Sequence, residues 1–250
     1  MRISFIKNKL ITFLSILFLI GLWKVGSLLI SRELILPSPE QTVVAVCKLF
    51  MQDEFVTIVG TTVLRGITGF FIAFVLAIAL GLAAGINNAF YAFLKPILVV
   101  IRSVPVISFI LLALIWLDVD QVPVFIALLT MFPFICTNVI DGIRNVNPKL
   151  LVMAKVYRVK KQHIIQGIYL PAISPFIFSG AASAMGFGWR AIIIGEVLSQ
   201  PKYGIGTFMQ NAQTYLLVDR VIAWTIIAIL LSYLFDQLIR FAEKKVVVWK

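Results

Sequence analysis

From Gly66 to Leu94 the chain runs for 29 residues without an aspartate, glutamate, lysine or arginine. About 20 apolar residues already cross the ~30 Å hydrocarbon layer of a bilayer as a helix, so a run of this length points to lipid as its solvent. Charge-free stretches recur over Leu10–Trp23, Ser103–Leu117, Gln121–Ile140, Gln162–Trp189 and Val221–Phe235. Charged residues make up 13% of the chain and the mean hydropathy is +1.02, against roughly a quarter charged in soluble proteins. The expectation is an all-α, polytopic membrane protein with six transmembrane helices near 10–30, 62–86, 94–117, 122–141, 173–198 and 221–240. Residues 1–250 read as one membrane domain, with a polar loop at 142–172 and no soluble domain large enough to bury its own core.

The positive charges set the orientation. With the N-terminus in the cytoplasm, the inner segments hold Arg2, Lys7 and Lys9; Lys95; Arg144, Lys149, Lys155, Arg158, Lys160 and Lys161; and Arg240, Lys244, Lys245 and Lys250, fourteen of the 22 cations. The outer segments hold Arg32, Lys48, Lys202 and Arg220, and the tight outer loop at Asp118 and Asp120 carries none, as the positive-inside rule asks. The net charge of +11 is therefore a matter of topology and anionic lipid. Nucleic acid is not an expected partner, because the cations border apolar spans instead of forming one basic face. Both termini are placed in the cytoplasm.

Arg2, Lys7 and Lys9 followed by Leu10–Trp23 would suit a signal peptide. No Ala-x-Ala-like site follows and apolar residues continue through Ile30, so the run is expected to stay as the first span. Between the first two spans, Leu36-Pro37-Ser38-Pro39 opens a connector in which Val43, Val46, Leu49 and Phe50 recur at helical spacing. Cys47 and Cys136 fall in different settings and are expected to be packing residues without a disulfide or metal role.

The absent chemistry narrows the function. The one histidine, His163, stands beside Lys160 and Lys161, a poor setting for a catalytic pair or a metal. No phosphate-cradling G-x-x-x-x-G-K-[ST] loop occurs. Uphill transport by this chain would need ATP hydrolysis by another one. No catalytic residue, resident cofactor or metal ligand is expected.

The stretch Val152–Pro171 is basic and amphipathic, with Lys155, Arg158, Lys160, Lys161 and His163 between apolar residues. It cannot sit in hydrocarbon and must lie in water or against a partner. Ala154 and Val156, with Val152, Val159 and Ile164, offer small apolar knobs for a groove, while the cations hold the segment at the surface. Pro171 lacks an amide proton and disfavours helix before it, so a break is expected there, ahead of the fifth span. The competing reading is a solvated basic loop on anionic lipid.

In the inner-membrane subunits of ATP-binding-cassette (ABC) importers a cytoplasmic loop reads Glu-Ala-Ala, three residues, Gly, nine residues, Ile, one residue, Leu-Pro. Aligned on Ile168, Leu170 and Pro171, its glutamate falls on Val152, its alanines on Met153 and Ala154, and its glycine on Arg158. The chain resembles the nitrate, sulfonate and taurine branch of these permeases over nearly its whole length. The likeness rests on Leu36-Pro37-Ser38-Pro39, Thr62-Val63-Leu64-Arg65 with Gly69-Phe70, Arg102-Ser103-Val104-Pro105, Phe132-Pro133, Leu170-Pro171 with Pro175, Trp189 ahead of Glu196, and Gly204-Ile205-Gly206. It implies a type I ABC importer permease fold, a second copy forming one pore as a homodimer, a cytoplasmic ABC ATPase dimer that binds ATP and Mg, and an external substrate-binding protein, in the bacterial inner membrane. Ala154, Arg158, Ile168, Leu170 and Pro171 are then the ATPase-coupling segment. Arginine in place of the glycine is strained if the turn is left-handed.

Charges at membrane depth are costly and mark functional candidates. Arg102, Ser103, Pro105, Trp189 and Glu196 are expected on the pathway or its gate. Arg190 and Glu196 lie too far apart for an i,i+4 pair, so each needs a partner on another helix. For these charges a buried interhelical ion pair, or snorkelling to an interface, stands beside the transport reading. Gly66, Gly69, Gly81 and Gly85, and Gly180, Gly186, Gly188 and Gly195, are expected to let spans two and five approach neighbours closely, with span five the pore wall. Nitrate, an alkanesulfonate, taurine and a vitamin precursor such as a pyrimidine stay open as solutes, with Arg102 favouring an anion. An ion-coupled secondary transporter would place ionisable groups near midplane, and spans one, two and six offer almost none.

Overall fold

The computed structural model describes residues 2–32 and 34–246, and among them every regular element is helical. In chain order these are α1 (Arg2–Ile30), α2 (Pro39–Phe50), α3 (Phe55–Ile86), α4 (Asn88–Ser103), α5 (Val106–Trp116), α6 (Val122–Arg144), α7 (Pro148–Val156), α8 (Lys161–Ile164), a π-helical turn at Ile165–Tyr169, α9 (Leu170–Ser199), α10 (Ile205–Thr214) and α11 (Val218–Val246). Lys250, counted above among the inward cations, lies outside the described residues.

Five helical segments are long and apolar enough to cross a membrane, Ile11–Ile30, Phe55–Ile86, Val122–Arg144, Lys161–Ser199 and Val218–Lys245. A sixth exists only as the pair α4 and α5, bent by 95°. The single helix expected over 94–117 is thus corrected to two. Pro105 has no amide hydrogen and disfavours helix in the residue before it, and Val104 is extended at φ −70°, ψ 131°. α4 also starts earlier than expected, because the Asn87 side chain accepts from the Ala89 and Phe90 amides at 2.9 and 3.2 Å and fixes its first turn.

Pro171 shows the opposite correction. The break expected there is absent, and the helical path runs unbroken from Lys161 to Ser199. The chain widens over Ile165–Tyr169 into a π turn in which the Leu170 amide donates to the Ile165 carbonyl, making room for the proline ring without ending the helix. The interruption lies upstream, between the end of α7 and Lys160.

The described residues form two compact units, one within 1–56 and 208–229 and one within 57–207 and 230–250. In the first, the Ser38 side chain accepts from the Gln41 amide while the Gln41 side chain accepts from the Ser38 amide, a reciprocal cap that starts α2. Trp23 Nε1 donates to the Pro37 carbonyl at 3.0 Å and Lys24 Nζ lies 2.7 Å from Glu40, docking α2 on α1. The face that α2 buries is Thr42, Ala45 and Leu49; Val43 and Phe50, expected on the same apolar stripe, face outward.

The larger unit is organised around α6, whose Ala127, Met131, Ile135, Cys136 and Val139 are buried. Small residues on α3 and α9 allow that burial. A β-carbon on Gly69 would stand 2.5 Å from that of Ala127, one on Gly85 2.4 Å from Ile143 Cδ1, and one on Gly188 2.1 Å from Met131 Cε. Helices in lipid gain cohesion from such close approach, since apolar burial from water no longer drives them together. Of the eight glycines expected at contacts, Gly186 alone has open space, because it falls on an unpacked face of α9.

Candidate functional site

Three of the five expected pathway residues, Arg102, Ser103 and Pro105, meet at the α4–α5 break and are exposed. Beside them lies a cleft of about 330 Å³ whose lining includes Arg102, Val106, Phe109, Thr130, Phe134 and Phe187. The Arg102 guanidinium carbon lies 5.3 Å from the centre of the Phe134 ring. Phe134 in turn stacks on Phe187, with centroids 4.7 Å and planes 6° apart. Among the described residues no acid pairs with Arg102. A free guanidinium presents five donors in a planar fork, and non-helical backbone is tolerated at membrane depth where it lines a cavity. The arrangement can take an oxygen-rich anion, with the phenylalanine rings against any apolar body it carries.

Trp189 and Glu196, the other two expected pathway residues, are inside the larger unit. Trp189 lies under Gly66, where a β-carbon would stand 2.9 Å from its ring, and against Phe235 at 5.2 Å between centroids. Glu196 is fully buried and has the interhelical partner the sequence called for, Arg65 of α3, whose Nη1 donates to Glu196 Oε1 at 2.8 Å. The same Nη1 donates to the Tyr203 carbonyl at 2.6 Å, and Nη2 donates to Asp120 Oδ1 at 2.5 Å. Thr62 Oγ1 donates to the carboxylate at 2.9 Å and accepts from the Ile205 amide at 2.8 Å, while the Gly206 amide donates to Glu196 Oε2 at 2.9 Å. This cluster ties α3, the turn before α6, α9 and the start of α10. It also explains Gly204-Ile205-Gly206: a β-carbon on Gly204 would stand 2.6 Å from Glu196 Cδ, and one on Gly206 2.4 Å from the Ile193 carbonyl oxygen.

Sequence reading gave Arg65 and Thr62 no role, and gave Asp120 only a place in the outer loop. The available signal was a lone arginine at the head of a long apolar run, which lipid tolerates only when it is paired or at an interface.

In the 142–172 loop, Ala154 is only 1% exposed and anchors α7 to its own chain. Arg158 and Leu170 are exposed, and Ile168 and Pro171 half-buried. The outward knobs are Val152, Val156 and Tyr157. α7 closes with Arg158 at φ 51°, the left-handed turn anticipated at the position where the family loop has glycine. His163 is exposed, and no cluster of three or more possible metal ligands occurs among the described residues.

Residues 73–248 match the family described as the binding-protein-dependent transport system inner membrane component. The chain belongs to that family, the membrane permeases of ABC importers. Its relatives include an aliphatic sulfonates transport permease protein of Bacillus subtilis strain 168, 28% identical over 93% of this chain and 84% of that one. A bicarbonate transport system permease protein of Synechococcus elongatus is 30% identical over 62% of this chain and 63% of its own. The taurine transport system permease protein of Escherichia coli K12 is 22% identical over 91% and 84%. These relatives are transport components and not enzymes.

Proposed function

We propose that this chain forms the translocation pathway for a small anion, as a homodimer with both termini in the cytoplasm. A cytoplasmic ATPase dimer, binding ATP and Mg, engages α7 and the turn after it, and an external binding protein delivers the solute. The observation that carries the anion is Arg102, a cation with no acid partner among the described residues, in a cleft at the break of a membrane span. Charges at membrane depth are paired or face a water-filled cavity; Arg65 is paired and Arg102 lines a cleft. The relatives named for sulfonates, taurine and bicarbonate support the same class, since all three solutes carry an acidic oxygen-rich group.

The test is uptake by proteoliposomes holding this chain with its ATPase and binding protein, using methanesulfonate, taurine, nitrate and bicarbonate, and a neutral pyrimidine as the contrast. An anion is taken up, and Arg102→Gln lowers that uptake about tenfold, the worth of one ~1.4 kcal/mol interaction. Uptake of the pyrimidine alone, indifferent to Arg102→Gln, would overturn the reading.

A further inference from the structure

α9 has one face that the rest of the chain leaves bare. Ser179, Ser183, Phe187, Arg190 and Ile194 recur at intervals of three and four residues and are all exposed, so they stand in a line along the helix. Gly186, with nothing within 4 Å of a β-carbon, lies on the same side. The bare face of α3 between residues 71 and 82 differs in kind, consisting of Phe71, Ile72, Val75, Leu76, Ala79 and Leu82. That face suits lipid. A face with two serines, a glycine and an arginine does not.

Arg190 is the decisive member. It is the twenty-first of the thirty residues of α9, well inside the span, and among the described residues no acid pairs with it. Glu196, the nearest acid along the helix, is already held by Arg65, Thr62 and the Gly206 amide. One turn from Arg190 stands Phe187, 51% exposed, whose ring stacks on Phe134, the ring that Arg102 overlies. Arg102 thus overlies one ring of the stacked pair, and Arg190 stands one helical turn along from the residue that carries the other.

We infer that Arg102 and Arg190 are successive binding stations on a single anion track, with the Phe134–Phe187 stack between them and the Ser179–Arg190 face of α9, about 16 Å long at 1.5 Å per residue, as its wall. The ligand is a small oxyanion group, sulfonate, carboxylate or nitrate, shedding water onto arginine and serine donors. Two stations of moderate strength admit an anion and still release it, which one deep site would not. The permease then sorts solutes by charge itself, in addition to whatever an external protein selects. This rests on the reading of the Arg102 cleft as an anion path and adds Arg190 to it.

The test uses the full chain in membrane vesicles, with C47S removing the exposed thiol and T130C placing one in the cleft. Its modification rates by a sulfonate-bearing and a trimethylammonium-bearing methanethiosulfonate are compared, each divided by the rate on free 2-mercaptoethanol. The normalised ratio is expected to favour the sulfonate reagent at least about tenfold, the effect of a nearby unit charge in a partly desolvated site. R190Q and R102Q are each expected to lower it severalfold. A ratio lowered by R102Q and untouched by R190Q removes Arg190 from the track and leaves the anion cleft standing. A ratio near one in the parent, or one that neither change moves, overturns both. If T130C does not insert or react, S183C carries the same comparison, and its failure to react with either reagent shows that no water reaches this face, which also overturns the track.

Discussion

Arg158 occupies a backbone position that a β-carbon resists. Its φ is 51°, the Val159 amide donates to the Ala154 carbonyl at 2.9 Å and the Arg158 amide to the Lys155 carbonyl at 3.2 Å. This is the pair of bonds that closes a helix through a left-handed residue, usually glycine. The side chain costs about 1–2 kcal/mol there, and glycine's greater freedom when unfolded gives part of that back. Arg158→Gly should therefore firm the turn by roughly 0.5–1 kcal/mol, and hydrogen exchange at Val159 should slow about two- to fivefold, while Arg158→Ala, which keeps the β-carbon, should not slow it. Equal exchange in the two variants would mean that the turn carries no strain. Arg65 is a residue of the other kind, needed for what it neutralises. Arg65→Ala leaves a buried carboxylate without its counter-charge and should cost about 3–5 kcal/mol. Combined with Glu196→Ala it should cost less than the sum of the two single changes by about 1–3 kcal/mol, read by unfolding of the purified protein in detergent. Strict additivity would show that the two side chains are not coupled.

At the scale of elements, α2 is held to α1 by an exposed ion pair that responds to pH. The hydrogen bond from Lys24 is the main cause that holds the Glu40 carboxyl down at about 2, from an ordinary 4.5. The folded value lies below the free one, so the pair's contribution is complete above about pH 4.5 and is lost as the pH falls toward 2. Amide protection in α2 should decline across that window, and Glu40→Gln should abolish the pH-dependent step without changing protection below it. A decline that persists in Glu40→Gln would assign it to other groups. Because the pair is exposed, high salt should weaken it at neutral pH as well. Two other elements show what a sequence says about helices and where it stops. Pro105 and Pro171 were both legible as places where an α-helix cannot continue unchanged. One became a 95° break and the other a π turn inside an unbroken path, because the remedy depends on what the flanking turns pack against, which local residues do not encode.

For the whole molecule, the number and order of apolar runs were readable because lipid imposes a requirement on each segment by itself. Which helices meet was not, since Arg65 and Glu196 are 131 residues apart and a sequence shows a charge without showing its partner. The site was legible to the same degree: Arg102 and Glu196 both stood out as costly, yet among the described residues one lies over an aromatic ring with no acid partner and the other is fully paired. On the proposed function, the 142–172 loop is the part that meets another chain. Val156 and Tyr157 are 72% and 77% exposed at the end of α7, beside Lys155, Arg158 and Lys160, which hold the segment in water. A docking surface of the kind proposed binds through a few apolar knobs in a partner's groove, so a charge on one knob should act on the partner and not on the fold. Val156→Asp should leave membrane insertion and thermal stability within about 0.5 kcal/mol of the parent, yet lower both co-purification of the ATPase and ATP-driven uptake at least about tenfold. Ala154→Asp gives the contrast, since a carboxylate at that buried position should destabilise the chain itself. Replacing residues 152–160 by a flexible glycine-serine tether should abolish uptake while leaving the spans inserted. If that tethered complex still hydrolyses ATP and transports at full rate, force enters the membrane through some other contact and α7 is a surface loop.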